Sequence, residues 1–355
     1  MGIYLLILIL LFIIGDIIKP NKSVKNKKIY MIIAFIILGG VAAIRSSSVG
    51  TDTDQFTLFF CIVQERTILD VVNSIRYEVG FVVLCKVLGF ITTSPQILII
   101  VTSIFINGVI TLFIYKESKD VVFSIILYIA LNYYFSYMNI MRQALAISII
   151  LLGYILFLKK NKKILFILSV MLASAFHTTA ILVVAILFFK DIKYKMSHYI
   201  ITVITSLIAF LLAPQLFMLA SRLLNSYSVY VNSVFYESNY FVAVFIFLIN
   251  FTMLTVSFFS NRKENRRLSK LLIISSIAVI SSAIGIRITL LGRMANYFNI
   301  YNIVLLPNAI QNNTNKITRK SVYLLALIFS VAYFLILLKY RPEWYQVIPY
   351  TVYNF

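Results

Sequence analysis

"ILFILSVMLASAFHTTAILVVAILFF", residues 164–189, is long and apolar enough for one membrane crossing, yet it carries a histidine at its middle. Lys159, Lys160, Lys162 and Lys163 precede it, and Lys190, Lys193 and Lys195 follow it. A single crossing would send one lysine cluster outward, against the retention of Lys and Arg on the cytoplasmic side. A hairpin with its tip near "SAFHTT" keeps both clusters inside. Each arm is then about 12 residues, about 18 Å of α-helix, so the segment is a re-entrant or strongly tilted hairpin. Non-helical backbone at membrane depth must be buried in protein or line a wet cavity, which singles out His177.

The rest of the chain supports a membrane reading. Its 355 residues are 61% hydrophobic and 12% charged, with a mean hydropathy of +0.95, whereas soluble domains hold about 25% charged residues. Apolar runs recur from end to end, each able to cross a hydrocarbon core of about 30 Å. The fold class is all-α, a polytopic membrane protein. It forms one transmembrane domain over 1–355, with about ten crossings plus the hairpin (up to 12 membrane segments). The crossings are the first segment, "IYLLILILLFII", then 29–45, 96–115, 121–137, 142–158, 199–219, 240–259, 271–290, 294–310 and 321–338. The first segment lacks a basic flank and a cleavage site, so it reads as a retained helix.

The net charge of +20 lies in short runs between apolar segments, such as "KPNKSVKNKK", "KKNKK" and "NRKENRR". That is the positive-inside pattern, and it excludes a nucleic-acid surface, which needs a contiguous basic face on a soluble domain. Cys61 and Cys85 form no CxxC, so no metal or redox site is indicated. With 19–28 inside, both termini lie outside and 46–95 forms an outer loop. In this reading 79–93 lies on the outer leaflet as an interfacial helix, because a crossing there would throw "KKNKK" outside. A short outer loop follows at 220–239.

Polar residues gather on that outer side. Arg45 ends the second helix in "RSSSVGTDTDQF", with Asp52 and Asp54 beyond it, and Glu78 precedes the interfacial helix. Arg142 opens a helix in "YMNIMRQALA", His177 sits at the hairpin tip, and Arg287 and Arg293 flank the turn in "GIRITLLGRMANYF". A charge in a membrane helix costs about 2.5–3.5 kcal/mol on insertion scales and so marks function. Arg142 and Arg293 stand deep in apolar context, while Arg45 and Arg287 stand at helix ends where snorkelling is easy. Four arginines at one depth point to an anion, because guanidinium grips phosphate oxygens bidentately; the alternatives are nonspecific contact with lipid headgroups or pairing with Asp52, Asp54 and Glu78. His177 suits a general base near neutral pH, against the alternative of a hydrogen-bonded packing residue. Asp52 either caps a local turn or holds sugar hydroxyls or an arginine. The aromatics of "YYFSYMN" and "RPEWYQVIPY" fit an interfacial belt.

In this order, an arginine then "VGTDTDQF", "YEVGFVVLCKVLG", "NIMRQALAISIILLGY", "LASAFHTTAILV" and "GRMANYFNIYNIVLLP" resemble the EpsG-like branch of the Wzy-type polysaccharide polymerases. The likeness runs from Arg45 to Pro307. It implies a GT-C-like enzyme of a bacterial inner or plasma membrane, with its active site on the periplasmic or extracellular face. Such an enzyme joins oligosaccharide repeats carried on polyprenyl diphosphate, which is both donor and acceptor, and releases polyprenyl diphosphate. It implies no cofactor and no metal, with the bilayer and a chain-length regulator as partners. Carried over, Arg142, Arg293, Arg45, Arg287 and Tyr297 hold the diphosphate or substrate, and His177, Asp52 or Glu78 serves catalysis. The short 220–239 loop departs from relatives with a larger outer loop. Competing readings are a flippase, whose charges should sit near the midplane, a glycan ligase, and a membrane acyltransferase.

Overall fold

The computed structural model describes residues 1–74, 77–189, 192–223, 240–261 and 265–354. They are helical throughout, apart from turns and one isolated bridge between Arg45 and Val352. Among the described residues seven helices are long and apolar enough to cross a membrane, or eight if one bent pair counts as a span, so the chain is a multi-pass membrane protein. They are α2 (Val24–Ala43), α6 (Gln96–Glu117), α9 (Met141–Leu156, extended by a 3₁₀ turn to Lys160), α11 (Met196–Leu223), α12 (Tyr240–Ser260), α13 (Arg266–Arg287) and α17 (Lys316–Tyr340). The bent pair is α7 (Val121–Ala130) and α8 (Tyr133–Asn139), which meet at 52°. Asn132 at the bend adopts φ 63°, a left-handed conformation that Asn tolerates better than most residues.

Besides the bent pair at 121–137, two of the ten expected crossings differ. α1 (Gly2–Ile18) has 17 residues, about 26 Å of helix. The segment 294–310 is broken into a 3₁₀ turn, a four-residue helix at Asn296–Asn299 and α16 (Asn302–Gln311). Its asparagines offer the backbone competing hydrogen bonds. The interfacial segment forms α5 (Val79–Gly89), whose 11 residues span about 17 Å. The segment 164–189, expected as a hairpin, forms two helical pieces, α10 (Lys163–Ser174) and a 3₁₀ helix at Thr178–Phe189, joined at 175–177. α11 already takes in 220–223 of the expected outer loop; 224–239 lie outside the described residues, as do Lys190 and residues 262–264 of "NRKENRR".

The chain forms two compact units, Met1–Val184 with Tyr323–Phe355, and Ala185–Val322. In the first, α2 packs on α6, α6 on α9, and α9 on α10, while α1 lies against α2 and α7. α3 (Thr53–Gln64) buries Phe56, Phe59, Phe60 and Val63, an i, i+3, i+4, i+7 stripe that meets α5. Lys27 Nζ donates to the Ser118 carbonyl at 2.8 Å, and Lys159 pairs with the buried Glu117 at 2.6 Å. The runs "KPNKSVKNKK" and "KKNKK" therefore share one end of this unit, the arrangement expected when 79–93 does not cross. In the second unit α11 and α12 flank α13, and α12 meets α16, where Asn302 donates to Asn250 at 3.1 Å.

Candidate functional site

α2, α6 and α9 run from the lysine end of the first unit to its opposite end, where residues of the "YEVGF", "NIMRQ" and "AFHTT" motifs meet. Glu78 is the N-cap of α5, with an extended backbone and no side-chain cap bond. Its carboxylate turns instead to Arg142, one residue inside α9, and forms a salt bridge; the two side chains are 18% and 22% exposed. The other carboxylate oxygen accepts the Thr178 amide at 3.1 Å. Gly80 N–H donates to the Ala175 carbonyl at 2.7 Å, so the start of α5 docks on the joint at 175–177. Thr178 brings its neighbour His177, whose Nδ1 lies 2.8 Å from Thr179 Oγ1. The Arg142 guanidinium lies 4.3 Å from the Tyr77 ring centroid, within cation–π range, and Tyr77 stands edge-on to Phe59 at 4.3 Å.

Asp52 is the N-cap of α3, but its side chain makes no cap bond. The turn-capping role open to it in the sequence is thus not the one its carboxylate takes. Its charge lies within electrostatic reach of Tyr77. Burial raises the Tyr77 pKa; Arg142 opposes that shift, while Asp52 and Glu78 reinforce it. The structure therefore brings Arg142, Glu78, His177 and Asp52 to one locality. Sequence reasoning missed Tyr77 and Thr178, whose only signal was adjacency to Glu78 and His177.

Arg45 departs from expectation. It is 2% exposed, and its guanidinium donates to the carbonyls of Ala42 (2.5 Å) and Met138 (3.3 Å) and to Ser103 Oγ (2.7 Å). The cavity beside it is about 10 Å³, the floor for a single water and far too small for a phosphate. The C-terminal segment folds over this helix end, with Tyr353 N–H bonded to the Ile44 carbonyl at 2.9 Å. The snorkelling arginine of the sequence is thereby a buried structural one.

The second unit holds Arg287, Arg293 and Tyr297. Arg293, expected deep in apolar surroundings, is exposed, because the 294–310 segment breaks up around it. With Asn296, Thr289 and Ser282 it lines a cavity of about 170 Å³ whose other walls are Val242, Ala243, Ile246 and the backbones of Gly285 and Gly292. Residues 289, 292, 293 and 296 share one face at helical spacing. Tyr297, one position on, turns inward and is 1% exposed, so it is a core residue rather than a substrate contact. Arg287 stacks its guanidinium 5.4 Å from the Phe210 ring centroid. Cys61 and Cys85 are free thiols.

No curated protein and no solved structure matches the chain. The sequence model of the EpsG family matches residues 28–352, from the first basic run to the segment that covers Arg45 and including every motif described above. A polytopic helical frame with that match over nearly its whole length belongs to the EpsG family, a Wzy-like family of polysaccharide polymerases.

Proposed function

We propose that this protein joins oligosaccharide repeats carried on polyprenyl diphosphate at the outer face of the membrane. The acceptor hydroxyl oxygen bonds to the anomeric carbon of the growing chain's reducing sugar. The bond from that carbon to diphosphate breaks, and polyprenyl diphosphate leaves with the electron pair. The hydroxyl proton passes to a carboxylate or imidazole, with His177 and Asp52 the bases and Glu78 the group that holds Arg142 in place. Arginine neutralises the leaving diphosphate, a preorganised electrostatic role that needs no metal.

The observation that carries this reading is the Arg142–Glu78–Thr178 junction. It holds the Arg142 cation, and the backbone next to His177, at the end of the first unit opposite the lysine runs. The positive-inside rule assigns that lysine end to the cytoplasm and the junction to the other face. The arginine-headed, apolar-walled cavity of the second unit has the character wanted by a charged head on a hydrocarbon chain.

The test uses purified protein in nanodiscs with a polyprenyl-diphosphate oligosaccharide of the source strain's own repeat. Wild type is expected to give a ladder spaced by whole repeats, resolved by gel or mass spectrometry and insensitive to chelator. Arg142→Ala and Arg293→Ala are expected to lose it, by about 10²–10³-fold if each supplies one oxyanion-type contact. Movement of the lipid-linked sugar between leaflets without a ladder would establish a flippase instead.

A further inference from the structure

We infer that Asn139 is a positioning residue that holds the Asp52 loop against the Arg142 helix, with the C-terminal segment as its brace; the catalytic consequence rests on the polymerase reading above. Asn139 ends α8, three residues before Arg142, and is buried. Its Oδ1 accepts the Thr51 amide at 2.7 Å, and its Nδ2 donates to the Tyr345 carbonyl at 3.1 Å and to Phe135 within its own helix at 3.3 Å. One side-chain amide thus ties three stretches that are distant in sequence. Thr51 neighbours Asp52, whose carboxylate is not used in capping.

The surroundings leave this arrangement little slack. Gly50 adopts φ +113°, and a Cβ there would lie 2.6 Å from Asn139 Oδ1 and 2.5 Å from Thr53 Oγ1, so only glycine lets the loop approach the amide. Gly50 N–H donates to the Gln346 carbonyl at 2.9 Å, and Ser46 N–H to that of Thr351 at 3.0 Å. The Ser46 and Thr351 hydroxyls lie 2.6 Å apart. Residues 345–353 therefore run alongside 44–51, and Asn139 is the side chain bonded to both. Through these bonds the loop bearing Asp52 and the helix bearing Arg142 keep one spacing, with Tyr77 in electrostatic reach of both.

Two measurements test this, in a Cys61→Ser, Cys85→Ala background. The first needs no substrate: the thiol of Asp52→Cys is labelled with a membrane-impermeant maleimide. Adding Asn139→Ala, or deleting 342–355, is expected to raise the labelling rate several-fold; an unchanged rate in protein that stays folded by size exclusion overturns the inference. The second is the polymerisation assay on otherwise native protein. Asn139→Ala should lower kcat by about 10²-fold, the cost of an ångström-scale misplacement, with KM little changed. Asn139→Asp keeps the acceptor for Thr51 but can donate to Tyr345 only when protonated, so its activity relative to wild type should climb as pH falls, whereas that of Asn139→Ala should not. Wild-type kcat in Asn139→Ala, or no pH-dependent rescue, overturns the positioning role. A wild type that makes no polymer defeats the polymerase reading alone, and the labelling result still decides the placement.

Discussion

The carboxylate of Glu78 serves two donors, the Arg142 guanidinium and the Thr178 amide, and the pair is only about one-fifth exposed. Glu78→Gln keeps an acceptor for Thr178 but leaves Arg142 a half-buried cation without its counter-charge. A hydrogen bond to a charged group is worth about 1.5–3 kcal/mol, so thermal unfolding in detergent should show a loss of that order. Glu78→Gln combined with Arg142→Gln should cost less than the two single changes summed, because the pair acts as a unit. Tyr77 offers a pH signature. Its folded pKa lies above the ordinary 10.0, mainly through burial. Its contribution to stability is therefore complete below pH 10 and is lost as pH rises toward the higher folded value. Alkaline unfolding scans should be flatter for Tyr77→Phe; an identical slope would mean that the ring is not buried as described. At this scale the sequence was half legible. Charge in apolar context gathered Arg142, Glu78 and His177 among the candidates at one side, and left an arginine–carboxylate pairing open without saying which arginine would take it. It could not reveal that Arg45 would be covered, because the covering residues, 345–353, lie some three hundred positions away. Nor could motif spacing tell Tyr297 from Asn296, since a single step of 100° separates a core position from a cavity wall.

Helices and their breaks place these residues, and the period of the apolar pattern decides which were foreseeable. Long runs such as α6 and α13 were plain in composition. α3 was not, although Phe56, Phe59, Phe60 and Val63 spell an amphipathic stripe; the aspartates before it and the polar residues after it masked the period. The breaks are where the candidate side chains emerge, at the α8–α9 junction beside Arg142, at the 175–177 joint beside His177 and beside Arg293. At the last of these, Gly285 of α13 and Gly292 come so close that a Cβ on either would lie 2.6–2.8 Å from the other's Cα. Both line the Arg293 cavity. Gly292→Ala should force the turn away from α13 and reshape that cavity. Over-packing of this kind costs about 1–3 kcal/mol, read as a lower unfolding midpoint. Binding of polyprenyl diphosphate, followed by intrinsic fluorescence quenching or by thermal shift, should weaken along with it. Unaltered binding in a destabilised variant would detach the cavity from the lipid-diphosphate site.

The first unit is an assembly with two chemically unlike ends. α2, α6 and α9 each carry basic residues at or beside one end, where Lys27 reaches Ser118 and Lys159 reaches Glu117. At the other end lie Arg45, Asp52, Glu78, Arg142 and His177. Composition made the membrane class legible, and the charge runs made the polarity of the ends legible, since each rests on sums over many residues. The choice between a crossing and a surface helix at 79–93 was decided by counting parity, and the contacts of Lys27 and Lys159 agree with that parity because helices of fixed length tie the two ends together. This arrangement makes a prediction for the intact membrane. Ser48 and Asn161 are both exposed, at opposite ends of the unit. In the cysteine-free background, Ser48→Cys in whole cells should react with an impermeant maleimide added outside. Asn161→Cys should react only after the membrane is opened, because the "KKNKK" run holds it in the cytoplasm. Labelling of Asn161→Cys from outside would break the link between charge and sidedness; if Ser48→Cys then reacted only after the membrane is opened, the Arg142–Glu78 junction would lie on the cytoplasmic face, where an outer-face polymerase could not use it.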